Sequence, residues 1–164
     1  MKIKINGLLV LILAVVLAGS CKKDDPTTSL EINVINGATN AASPGATIKL
    51  YAGANAVSDN VPTYTNTTDV SGRVKFNVKY QNQYYIIVEN GSAKNFYSGL
   101  VPVAIFKTQA DISASPAQNP IAVIGGIKFQ DINGDGVVNA QDNIVAPLIT
   151  IKAQTNNTIS VTIY

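Results

Sequence analysis

Alternation between apolar and polar side chains is the strongest constraint on how this sequence can fold. In the stretch 73–80 (RVKFNVKY), every even-numbered residue is apolar or aromatic and every odd-numbered residue is polar. The same period of two runs through 30–35, 46–52 and 84–89. Because successive side chains of a strand point to opposite faces of its sheet, this pattern predicts strands with one buried face.

Further strands are predicted by apolar runs that lie between Gly-, Asn-, Ser- and Pro-rich connections, at 61–66, 100–106, 121–129, 148–153 and 158–164. Helical periodicity is almost absent, and the best candidate is a turn or two around 140–146, stopped by Pro147. We therefore expect an all-β chain, an antiparallel sandwich with at most one short helix. The irregular stretch 107–120 could link two units, but the roughly 45 residues after it are few for a separate β domain, so a loop is favoured.

The first twenty residues have the composition of an export signal. A basic start at 2–4 precedes twelve almost purely apolar residues at 7–18, which is too short to span a bilayer but matches a signal-peptide core. Small residues then lead to Cys21, the single cysteine of the chain, which cannot form an internal disulfide. The sequence predicts a signal peptide over 1–20, a flexible tether over 21–29 and one folded domain over 30–164.

Small residues directly before Cys21 resemble the lipobox of bacterial lipoproteins. The resemblance implies cleavage before Cys21 and acylation of its thiol by a chain such as palmitate. The following residues, CKKDDP, resemble lipoproteins of Bacteroidota-type bacteria, in which such a run accompanies export to the outer face of the outer membrane. This resemblance implies a lipid-anchored outer-membrane protein, and we expect it at the cell surface.

Several chemistries lack the residues they need. Once the lysines of the signal are removed, ten basic side chains balance ten acidic ones, so a nucleic-acid partner is not expected. The chain has no histidine, which excludes a Ser-His-Asp triad and imidazole ligands. A small hydrolase would need two facing carboxylates, and the carboxylates outside the tether and the acidic loop are Glu31, Asp59, Asp69, Glu89 and Asp111. We expect a protein that is not an enzyme.

An acidic segment at 131–142, DINGDGVVNAQD, has the spacing of a calcium loop. Calcium takes oxygen ligands from alternate positions of such a loop, a glycine at the sixth position allows its sharp turn, and a carboxylate returns at the twelfth. An Asx-rich turn would explain Asn-Gly and Asp-Gly but not the last carboxylate. The predicted Ca²⁺ ligands are Asp131, Asn133, Asp135, the backbone carbonyl of Val137, Asn139 and Asp142.

The acidic segment is similar to the EF-hand-like loop of dockerins, since its twelfth residue is Asp rather than Glu. A dockerin has two loops with following helices, whereas here one loop is followed by Pro147. Cohesin binding is therefore not expected. Calcium loops of surface-adhesin repeats, with a G-x-x-F-x-D-x-N-x-D-G run, match equally well from Gly126 to Gly136. With no base or nucleophile nearby, the predicted role of the ion is structural.

The segment Ile32 to Glu89 resembles the prealbumin-like or carboxypeptidase-regulatory-like modules of secreted bacterial proteins. The resemblance rests on Pro44 to Ile48, on Thr68-Asp69 with Gly72, and on the aromatic strand from Tyr84 to Val88. It implies an Ig-like or prealbumin-like sandwich, with the calcium loop as an insertion, and is silent on function. Asp69 is expected to cap a turn between two strands.

We expect a non-enzymatic, calcium-stabilised binding or scaffold module with an extracellular glycan or protein as its partner. The alternative is a glycan-binding accessory of a polysaccharide-uptake system, with Tyr51, Tyr85 or Tyr164 as stacking platforms. A small hydrolase is the less favoured alternative.

Overall fold

The computed structural model describes residues 28–106, 108, 110, 126–135, 140–142 and 146–164. Within them the chain forms eleven strands, an α-helix (α1) at Ala54–Ser58 and a 3-10 helix at Ala140–Asp142. In chain order, strands β1 to β11 are Thr28–Asn36, Ala41–Ala42, Thr47–Tyr51, Tyr64–Thr67, Arg73–Val78, Gln83–Asn90, Ala93–Lys94, Pro102–Ile105, Ile127–Phe129, Leu148–Thr150 and Asn156–Ile163. The predicted signal peptide, Cys21 and residues 121–125 of a predicted strand lie outside the described residues.

Two sheets packed on each other form a β-sandwich, which confirms the predicted all-β fold class. The first sheet is built around β1, with β11 along one edge and β5 and then β2 along the other. The second sheet has the order β10-β6-β3-β4, and β7 also pairs with β6. A separate pair, β8 and β9, precedes the acidic segment.

The alternation in the sequence becomes the core of this sandwich. On the first sheet the buried side chains come from the even positions of β1 and β5 and from the odd positions of β11. They meet the even positions of β3 and β6 on the second sheet. The core members with at most 1% exposure are Leu30, Ile32, Val34, Ala46, Ile48, Leu50, Tyr84, Ile86, Val88, Ile151 and Ile163.

Pairing between β1 and β11 is parallel, in a sheet whose other pairings are antiparallel. The register runs from Ser29 opposite Asn156 to Asn36 opposite Ile163. The strand begins at Thr28, two residues before the predicted domain boundary, and Thr28 is fully buried. Its hydroxyl accepts the backbone N–H of Gln154 at 3.2 Å. Thr28 and Ser29, which the sequence assigned to the tether, therefore belong to β1 of the first sheet.

One of the two short helices lies in the stretch where the sequence predicted a helical turn, and the other was not expected. A turn or two was expected around 140–146, and the described part of that stretch contains the 3-10 helix Ala140–Asp142. The α-helix α1, Ala54–Ser58, was not expected. It buries none of its side chains, so the sequence carries no apolar stripe from which it could be read.

A turn capped by Asp69 connects β4 to β5, as the sequence predicted. Its Oδ1 accepts the backbone N–H groups of Ser71 at 2.8 Å and Arg73 at 3.0 Å, and the Ser71 hydroxyl at 2.6 Å. The hydroxyl hydrogen bond, together with those two N–H groups, holds the pKa of Asp69 below its usual value. Gly72 has φ of +73°, and a Cβ there would lie 2.9 Å from the backbone nitrogen of Ser43. The turn thus requires glycine for both conformation and space.

A buried asparagine completes the edge of β6 between β10 and β7. The Oδ1 atom of Asn95 accepts the N–H of Val88 at 2.8 Å, and its Nδ2 donates to the carbonyl of Ile86 at 3.1 Å. Its own backbone N–H donates to the carbonyl of Val88 at 3.2 Å. Asn95 is only 6% exposed. Its side chain therefore replaces a neighbouring strand for this part of β6.

We predict that Asn95→Leu lowers the free energy of unfolding by about 2–4 kcal/mol, because it leaves two buried backbone groups of β6 without partners. Urea denaturation followed by circular dichroism measures this. The matched control is Asn77→Leu, at an exposed position of β5, which should change stability by less than about 0.5 kcal/mol. Equal losses in the two variants would contradict the role assigned to Asn95.

Candidate metal loop

The acidic segment begins where β9 ends, and β9 is fixed by three contacts. Phe129 is buried and packs edge-to-face on the ring of Tyr97, with centroids 5.4 Å apart. The backbone N–H of Gln130 donates to the carbonyl of Val101 at 3.0 Å. Ladder pairing with β8 supplies the third contact. The first predicted ligand, Asp131, therefore leaves from an anchored strand.

Asp142, the twelfth position of the acidic segment, returns to its first turn. The carboxylate is fully buried, and its Oδ1 accepts the N–H groups of Ile132 at 2.9 Å and Asn133 at 3.3 Å. Since a buried carboxylate requires such donors, Asp142 joins the two ends of the segment. The sequence places a carboxylate here, and the structure shows the backbone groups that it contacts.

Along the first half of the acidic segment, side-chain oxygens of alternate residues point toward the segment's own backbone. Asp131 Oδ1 accepts the N–H of Gly134 at 2.8 Å, and Asn133 Oδ1 accepts the N–H of Asp135 at 3.0 Å. Asn133 Nδ2 also donates to Asp135 Oδ2 at 3.1 Å. Gly134 lies in the left-handed region, with φ of +73°. This is the geometry of consecutive Asx turns, in which side chains cap the backbone that follows them.

The described residues of the acidic segment supply oxygen donors, which suit a hard cation such as calcium. Two predicted ligands, Val137 and Asn139, lie outside the described residues. Among the residues that the structure describes, no group of three or more His, Cys, Asp or Glu side chains could hold a metal ion. Asp131, Asp135 and Asp142 therefore do not form a ready-made cluster.

The tyrosines proposed as stacking platforms are largely packed into the fold. Tyr51 is 1% exposed, and its hydroxyl donates to Asn60 Oδ1 at 3.0 Å. Burial, with a smaller contribution from Glu89, raises the pKa of this phenol. Tyr85 is half-buried, and the half-buried ring of Tyr164 lies against Gly37. The stacking role predicted for Tyr51 is wrong, because a ligand cannot reach its ring.

Of the carboxylates considered for a hydrolase, Glu31, Asp69 and Glu89 already have structural partners. Glu31 projects from the outer face of the first sheet, with its Oε1 3.9 Å from Arg73 Nη1. Glu89 lies on the outer face of the second sheet, with its Oε1 3.2 Å from Lys94 Nζ. Asp69 caps its turn, and Asp111 is outside the described residues. The described part of the chain thus holds Glu31 and Glu89 on opposite sides of the sandwich.

No helix within the described residues has both the length and the apolar character needed to cross a membrane.

Comparison with known proteins gives one informative match. No family model matches the chain. The chain is 33% identical over 72 residues to TonB-dependent receptor P26 of Formosa agariphila. The match covers 43% of this chain and 7% of the receptor. The chain is thus similar to a small part of a much longer receptor.

Removal of the buried carboxylate should loosen the acidic segment even without metal. We predict that Asp142→Ala lowers the free energy of unfolding by about 2–3 kcal/mol in the presence of chelator, because two N–H groups lose a charged acceptor. The matched control is Asp135→Ala, at an exposed carboxylate of the same segment, with an expected loss under about 1 kcal/mol. Urea denaturation measures both variants. A smaller loss for Asp142→Ala than for the control would contradict this account of the buried carboxylate.

Proposed function

We propose that this protein is a non-enzymatic binding or scaffold module, held at the outer face of the outer membrane by an acyl chain on Cys21 and stabilised by calcium. The observation that carries the location is the 33% identity to part of a TonB-dependent receptor, a class of outer-membrane protein. The lipobox-like residues before Cys21 support the same location independently.

A non-enzymatic role is supported by the tasks that the described acidic groups already perform. Asp69 caps a turn, Asp142 closes the acidic segment, and Glu31 and Glu89 are paired with basic side chains. These are structural uses of charge.

Calcium would be held by Asp131, Asn133 and Asp135, with Asp142 and the predicted ligands at 137 and 139. A bound ion would cross-link the start of the acidic segment to its return, which the hydrogen bonds of Asp142 already join. Because the acidic side chains in the described residues do not form a group that could hold a metal ion, they must move closer together around a bound ion. Such a reorganisation fits the weak affinity of extracellular calcium modules, with dissociation constants of about 10⁻⁴ to 10⁻³ M.

The calcium proposal predicts a change in melting temperature. The full chain in non-ionic detergent should melt several degrees higher in 5 mM calcium than in chelator, since binding at such affinity adds about 1–2 kcal/mol. Asp131→Asn should reduce this shift, because it removes a charged ligand. Glu31→Gln, on the outer face of the first sheet, is the matched control and should keep the shift. Identical melting in calcium and in chelator would overturn the calcium proposal.

The anchor is tested separately by labelling with an alkyne analogue of palmitate in a Gram-negative host. Wild type should carry the label and enter the detergent phase, while Cys21→Ala should do neither, because no other thiol is present. Ser20→Ala keeps a small residue before the cysteine and should be labelled like wild type. Equal labelling of Cys21→Ala and wild type would rule out this anchor.

A further inference from the structure

A groove on the outer face of the second sheet has no part in the calcium or lipid proposals. It lies between α1, which contributes Val57, and the segment after β7, which contributes Phe96 and Tyr97. Its floor comes from β6 and β7 and includes Ile87 and Lys94. The cavity volume is about 270 Å³, at the low end for ligand sites and suited to one small ring with its substituents. We call it the Lys94 groove.

Glu89 and Lys94 line the Lys94 groove, and Lys49 lies beside it within 3.9 Å of Glu89, so these three side chains together carry one positive charge. Glu89 lies between two lysines, with Oε1 3.2 Å from Lys94 Nζ and Oε2 3.9 Å from Lys49 Nζ. The side chains of Lys49 and Lys94 remain 29% and 37% exposed. Each ammonium group has three donors, and Glu89 supplies only one partner to each lysine. The two lysines can therefore contact an anion without giving up Glu89.

Apolar surface borders this charge. Val57, Ile87 and Phe96 are all half-buried, so each presents part of its side chain to the groove. Ile87 lies directly opposite Lys49 in the ladder between β3 and β6. A ligand that reaches the lysines must therefore also cover apolar and aromatic surface.

Tyr97 forms a wall that is held in place before any ligand arrives. Its ring packs on Phe129, and its hydroxyl, which has one hydrogen to donate, lies within hydrogen-bonding distance of the carbonyls of Ser92 and Tyr164. The turn from Tyr97 to Leu100 is closed by backbone hydrogen bonds of 2.8 and 3.0 Å. Burial raises the pKa of Tyr97, so the phenol stays protonated near neutral pH. A preorganised wall lowers the entropic cost of binding.

We propose that the Lys94 groove binds a carboxylate carried on a six-membered ring. The carboxylate would meet the two lysines, and a face of the ring would lie on Phe96, Ile87 and Val57. An acidic sugar and an aromatic acid share this chemistry. The inference rests on the proposed role as a binding module and names the ligand class, while calcium and the lipid anchor have no part in it.

The test compares acids with neutral molecules of the same shape. The probes are glucuronate against glucose, and 4-hydroxybenzoate against phenol, titrated into the full chain in non-ionic detergent and followed by amide chemical shifts. At least one acid should bind about tenfold more tightly than its neutral counterpart, with shifts at Ile87, Glu89 and Lys94. The acid that binds more tightly shows whether the ring of the natural ligand is a sugar or an aromatic ring. Added salt should weaken its binding.

Variants separate an electrostatic site from a merely structural one. Lys94→Gln keeps most of the side-chain length and should weaken the acid about tenfold. Glu89→Gln should instead strengthen binding several-fold, because it removes the negative charge between the lysines. Lys75→Gln is the matched control, at an exposed position of β5 on the other sheet, and should bind like wild type.

Three results would overturn the groove proposal: acids binding no more tightly than neutral probes, Lys94→Gln binding like wild type, or Glu89→Gln weakening the acid. None of these depends on calcium or on Cys21. If the protein melts higher in calcium and carries palmitate but binds neither acid, the proposed function stands and only the groove proposal is overturned. A protein that binds the acid but melts at the same temperature in calcium and in chelator would keep the groove proposal and lose the calcium proposal.

Discussion

The position of β1 at the centre of the first sheet is the constraint on which the rest of the structure depends. Three strands pair with it, β11 on one edge and β5 and β2 on the other. Its side chains Leu30, Ile32 and Val34 are at most 1% exposed. Burial of each of these side chains contributes about 1.5–3 kcal/mol to the stability of the fold. The backbone of β1 pairs with the strands on both of its edges. The second sheet packs on this surface and in turn carries the Lys94 groove on its other face.

Period-two alternation was enough to identify most of the strands. In β5, alternation places Val74, Phe76 and Val78 in the core, as the structure shows. It could not place β11 in parallel beside β1, because one buried face looks the same in parallel and antiparallel pairing. The helix α1 was invisible for a different reason: it has five residues and no buried side chain. Local pattern therefore identified strands but not their partners.

The acidic segment shows a similar division. Spacing alone singled out Asp142 as the last ligand of the predicted loop. The structure adds that its carboxylate is buried and accepts the N–H groups of Ile132 and Asn133. The ligand spacing does not reveal that Asp131 and Asn133 also cap the backbone turns. Alternation places Tyr51 on the outer face of its strand, but the side chain is 1% exposed and its hydroxyl is bonded to Asn60, so it cannot serve as a stacking platform. The Lys94 groove lacked any sequence signal, since its walls come from segments far apart in the chain.

The parallel ladder between β1 and β11 also bears on how the chain folds. Ser29 and Asn156, which pair in this ladder and share a side-chain hydrogen bond, are 127 positions apart. Contacts between residues far apart in the chain form slowly, because closing the long loop between them costs entropy before the contact stabilises anything. Because the chain is made from its amino terminus, one edge of β1 stays uncovered until β11 has been synthesised. Until β11 pairs, this uncovered edge leaves the unfinished fold open to aggregation.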